Sequence, residues 1–107
     1  MKSLIQHRKT ERFLLLYALY RKSNGTTQQS FNLREMAFSE GIGLRAFKAC
    51  FDFLSQEQLI RPQMSGEQPF DFYRASISDA GLMVIEEVFR DEMQETPYFP
   101  SYREMMM

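Results

Sequence analysis

A few residues in this chain have types that could do chemistry. His7 is the only histidine and carries the side chain most often used as a general base. Cys50 is the only cysteine, a nucleophile or metal ligand once it loses its proton. Glu86-Glu87 and Asp91-Glu92 are neighbouring carboxylates, a pairing that can hold a cation or divide acid and base work. Their surroundings point elsewhere. His7 sits in the charged stretch MKSLIQHRKTER, ahead of the main apolar run, and reads as a solvated side chain. Cys50 falls at an apolar position of a helical pattern and reads as a buried structural thiol. The carboxylates fall on the solvated stripe of a helix. One cysteine and one histidine cannot build a zinc cluster, and no disulfide can close within the chain. There is no G-x-S-x-G elbow, Walker A loop, G-x-G-x-x-G or H-E-x-x-H. The expectation is a protein that is not an enzyme and uses no metal or cofactor.

Binding chemistry is better represented. The 107 residues hold 13 Lys+Arg against 14 Asp+Glu, a formal net charge of −1. Residues 1–64 contain ten basic and five acidic side chains and so carry +5. Residues 65–107 contain three basic and nine acidic ones and carry −6. One part of the chain can therefore meet a polyanion that the other would repel. The length predicts one domain, over residues 1–93, followed by an extended or mobile tail over 94–107. Pro97 and Pro100 interrupt that tail, although Tyr98, Phe99 and Tyr102 could dock on a surface. The longest apolar run, Phe13–Tyr20, is eight residues, too short for a membrane span. With no apolar signal segment and a single thiol, a cytoplasmic location is expected.

The elements that would position these charges follow from spacing. Ser3–Lys22 lacks Pro and Gly and ends at Ser23-Asn24-Gly25, which predicts a helix with a C-terminal stop. Its Phe13, Leu16, Tyr17 and Tyr20 share one face, and Leu14, Leu15, Ala18 and Leu19 make it apolar almost all round. Residues 24–31 read as a polar connection. Asn32, followed by Glu35, caps a short helix over Leu33–Glu40. Gly41 ends it and Ile42 plugs the corner. A second helix is expected over Leu44–Gln58, with Phe47, Cys50, Phe51 and Leu54 inward and Arg45, Lys48, Ala49, Asp52 and Gln56 outward. Leu59–Gln63 reads as a strand with Pro62 suited to an edge, and Phe70–Ser78 as a strand returning antiparallel to it. Ser78 then caps a last helix over Asp79–Met93. The fold class expected is mainly α with a small antiparallel β-hairpin.

This order resembles the winged helix-turn-helix superfamily, in the style of MarR-like and PadR-like bacterial regulators. The resemblance lies in Phe31-Asn32-Leu33-Arg34-Glu35-Met36-Ala37, Gly41-Ile42, Phe47–Leu54, Leu59-Ile60 and Ser76-Ile77-Ser78-Asp79-Ala80-Gly81, and covers residues 10–93. It implies a DNA-binding regulator of transcription whose second helix enters the major groove of double-stranded DNA. The resemblance would then place Gly43, Leu44, Arg45, Ala46, Lys48 and Ala49 towards the bases. Arg45 is the expected base contact, because a guanidinium bonds guanine O6 and N7 together, and Lys48 would reach a base or a phosphate. Arg34 and Arg61 would touch phosphates. The hairpin tip departs from the pattern, with Glu67 and Asp71 where such wings carry cations. This motivates an alternative, a winged-helix adaptor that binds protein rather than DNA. A homodimer is also expected, through Leu14, Leu15 or Leu19 of the first helix with Met83, Val84 or Val88 of the last.

Overall fold

The computed structural model describes residues 4–63, 73–90, 98–100 and 103, apart from the side chain of Gln6. In chain order it contains α1 (Leu4–Lys22), β1 (Phe31–Asn32), α2 (Leu33–Ser39), α3 (Leu44–Gln56), β2 (Ile60–Pro62), β3 (Arg74–Ile77) and α4 (Asp79–Arg90). Among the described residues the protein is mainly helical, with a small antiparallel sheet. None of the helices it describes is long and apolar enough to cross a membrane.

α1 is apolar on several sides because it is surrounded. It packs against α2, α3, α4 and β3. Leu15, Leu16 and Leu19 are fully buried, and Phe13 nearly so. Leu14, Tyr17, Ala18 and Tyr20 lie half-buried around them. Leu15, Leu16 and Leu19 are thus covered within one chain.

Three helices end in the same way. After α2, Gly41 takes a φ of +76°. The Ile42 N–H donates to Ala37 O at 2.9 Å and the Gly41 N–H to Phe38 O at 3.1 Å. This pair of bonds satisfies carbonyls that a helix end leaves open, and it turns the buried Ile42 back onto the core. α1 closes through Gly25 N–H to Tyr20 O and Asn24 N–H to Arg21 O. α3 closes through Leu59 N–H to Leu54 O at 2.9 Å and Gln58 N–H to Ser55 O at 3.1 Å. Here the left-handed residue is Gln58, φ +60°, so the helix stops at Gln56 rather than continuing to Gln58. Without a glycine, its stop is unmarked in the sequence.

The sheet has three strands in the order β1-β3-β2, not the expected two. β3 is central: Phe31 pairs with Ala75 and Asn32 with Arg74 on one side, and Ile60 with Ile77, Arg61 with Ser76 and Pro62 with Ala75 on the other. Residues 24–31 are therefore not wholly a connection, because Phe31 already belongs to β1. Ala75 and Ile77 are buried and alternate with half-buried Arg74 and Ser76, while Pro62 lies on the edge strand its missing donor favours. The expected start of β3 at Phe70 and the acidic tip lie outside the described residues, as does the expected end of α4 at Met93.

The junction of β3 and α4 is clasped to the end of α3. The Ser78 N–H donates to Leu59 O at 3.1 Å, and its Oγ donates to Gln58 O at 2.6 Å. The same Oγ accepts from the Gly81 N–H at 3.0 Å, which caps α4. A Cβ on Gly81 would collide with Leu59 O and lie 2.8 Å from Ile77 Cγ1, so only glycine lets α4 approach this closely.

Part of the segment expected to be extended is packed into the core. Phe99 is fully buried, edge-on to Phe13 at 5.7 Å between ring centroids. Tyr98 meets Phe53 edge-on at 6.0 Å.

Two substitutions at the clasp should act in opposite directions. Ser78→Ala should lower stability by about 1–3 kcal/mol, since it removes a cap and leaves the Gln58 carbonyl unpartnered. Gln58→Gly should raise it by up to about 1 kcal/mol by relieving the left-handed backbone. Thermal denaturation followed by circular dichroism should show Tm moving down in the first and up in the second. Phe99→Ala should cost about 3–5 kcal/mol if the ring fills the core as described, and only tenths if the segment is an appendage.

Candidate nucleic-acid interface

The candidate surface is built from α2, the turn after it and α3. Asn32 Oδ1 accepts the Glu35 N–H at 3.2 Å and fixes the start of α2. Leu33, Met36 and Ala37 bury its inner face. The Gly41-Ile42 turn then sets the direction of α3. Phe47, Cys50, Phe51 and Leu54 hold α3 down, with Tyr73 lying across Phe47 and Phe51 at 5.0 and 5.4 Å.

With one face committed to the core, the other is set by the 3.6-residue repeat. Leu44, Arg45, Lys48, Ala49, Asp52 and Gln56 are exposed, and Ala46 is half-buried at the margin. The face read from spacing is the face observed. Arg34 on α2 and Arg61 on β2 are exposed as well. None of Arg34, Arg45, Lys48 and Arg61 forms an ion pair among the described residues. This leaves their charge available to an anionic partner.

The residues expected at a two-fold contact separate into two groups. Leu15, Leu19 and Val88 are fully buried within the chain. Leu14 and Val84 are half-buried against the core, and Met83 is exposed. The sequence pattern shows that these positions are apolar but not which neighbour covers them.

Two features have no counterpart in the sequence reading. Phe38 is 84% exposed, pointing outward from α2 one turn beyond Arg34. The first turns of α1 lie beside the start of α3, where Leu4, His7, Arg8, Glu11, Arg45, Ala46 and Ala49 line a cleft of about 370 Å³. The i, i+4 spacing of His7 and Glu11 hints at their contact, which is 3.7 Å from Nε2 to Oε2. The crossing of α1 over α3 leaves no such trace.

Cys50 has the surroundings of a structural thiol. It is buried and free, and burial followed by the Glu11 charge pushes its pKa up to about 11, against a smaller opposing effect of Arg12 and Arg8. No group of three or more potential metal ligands occurs among the described residues. No protein-family model, curated protein or solved structure matches this chain.

The Cys50 environment has a measurable consequence. The folded chain holds this proton more tightly than the unfolded one. The resulting stability is therefore complete below the ordinary thiol value of 9.0 and lost as pH rises towards about 11. At pH 8 a thiol reagent should leave the native protein unmodified and react fully after denaturant is added. Rapid native labelling would contradict the burial.

Proposed function

We propose that this chain is a winged helix-turn-helix module that binds double-stranded DNA through the outward face of α3 and serves as a transcriptional regulator in the cytoplasm. The observation that carries this reading is the exposed, ion-pair-free placement of Arg45 and Lys48 in the N-terminal half of α3. Small Ala46 and Ala49 beside them leave room for the walls of a groove. The order α1–β1–α2–α3–β2–β3–α4, with a tight turn between α2 and α3, supports the same reading. Arg45 reads a guanine, Lys48 a base or phosphate, and Arg34 and Arg61 position the protein on phosphates. A two-fold pair meeting through Met83, with Leu14 and Val84 at its margin, would present two α3 helices to successive half-sites.

A second reading rests on Phe38. An aromatic ring so exposed on α2, together with an exposed Leu44 at the start of α3, suits an adaptor that docks protein through this helix pair.

Fluorescence anisotropy with labelled duplexes separates the two. Arg45→Ala and Lys48→Ala should each weaken binding to a selected duplex about tenfold to a hundredfold while leaving Tm unchanged. Binding of the wild type should fall steeply as salt rises. No duplex binding at low salt would overturn the DNA reading and favour the adaptor.

A further inference from the structure

The core does not explain why α1 starts where it does. None of the described side chains from Leu4 to Arg12 is buried, and Leu4 and Ile5 are 67% and 68% exposed. The helix nonetheless runs through them beside α3. The segment's half-buried residues, Lys9 to Arg12, are polar, so its described part adds no apolar side chain to the core and gains little from its own propensity.

What it meets is the cleft at the start of α3. Arg8 approaches from α1 and Arg45 from α3, both exposed and neither in an ion pair among the described residues. Ala46 and Ala49 leave its α3 wall open, and Leu4 supplies an apolar wall. Glu11 brings one opposing charge, with the His7 imidazole 3.7 Å from its Oε2. Arg8 and Arg45 thus flank the same cleft, one from α1 and one from α3.

We propose that this cleft is a phosphate subsite of the duplex interface. Arg8 holds a backbone phosphodiester beside the groove that α3 enters, with Leu4 against the adjoining sugar. Arg45, on the opposite wall, extends past that phosphate to the base edges. The inference rests on the reading of α3 as the DNA-contacting helix, and adds α1 to the interface. A phosphate contact carries no sequence information. Arg8 therefore governs affinity and salt dependence, whereas Arg45 governs sequence preference.

The test uses the full chain, a selected duplex and a random-sequence duplex, titrated across a salt series. Arg8→Gln should weaken binding to both duplexes by the same factor, about threefold to tenfold, and make the salt slope shallower by about one. Arg8→Lys should restore the slope, and Glu11→Gln should tighten binding by removing a carboxylate from the cleft. Arg45→Ala should lose the selected duplex preferentially. If Arg8→Gln binds like wild type at every salt concentration while Arg45→Ala is impaired, the subsite is wrong and the reading of α3 stands. If wild type binds neither duplex, both fall. A lowered Tm in Arg8→Gln, with binding restored on cooling, would make Arg8 a structural residue and overturn the subsite.

Discussion

The carbonyl group of Leu59 is the point on which the arrangement depends. It accepts the Ser78 N–H, and it is the atom against which Gly81 is pressed. Beside it, the Gln58 carbonyl accepts the Ser78 hydroxyl. The end of α3, the start of β2, the end of β3 and the start of α4 therefore meet within a few residues. Polar groups buried at such a junction are costly unless each finds a partner, and Ser78 supplies partners on both sides. Once the junction is closed, β2 has one register against β3, and α4 has one angle of approach to α1.

That constraint reaches the candidate interface through α3. The helix is pinned at its far end by the clasp and at its near end by the Gly41-Ile42 turn. Phe47 and Phe51 are held beneath Tyr73, which immediately precedes β3. Its rotation about its own axis is thus determined, and Arg45 and Lys48 are held on its exposed face. The −1 net charge of the whole chain says little about this surface, because the acids are concentrated after residue 64. Local placement matters over a screening length of about 8 Å, and the sum over the chain does not.

Much of this is legible from sequence because it acts over short distances. Asn32 caps a helix three residues away, Gly41 ends one in its own turn, and Ser78 reaches Gly81 within the same helix start. The outward face of α3 follows from its inward one. Features that depend on distant residues are not readable in this way. β1 is two residues long and exists because Arg74 and Ala75 lie opposite it. Gln58 adopts a left-handed backbone because Leu59 must turn inward, and nothing in glutamine announces it. Leu15, Leu19 and Val88 are apolar in a way that suits a second chain or a core equally, and only the packing of α1 among its neighbours separates the two. Phe38 is the reverse case, an apolar residue that the fold leaves outside.

The contact of Phe99 with Phe13 bears on how the chain reaches this state. These rings are separated by most of the sequence, and their pairing is among the least local contacts the molecule makes. Contacts of that kind slow folding, because a long loop must close before they contribute. During synthesis, Phe13 and Tyr17 emerge early and wait for Phe89 and Phe99. Until then a nascent chain carries an uncovered aromatic surface on α1, the kind of surface that holdase chaperones shield and that crowded ribosomes bring together.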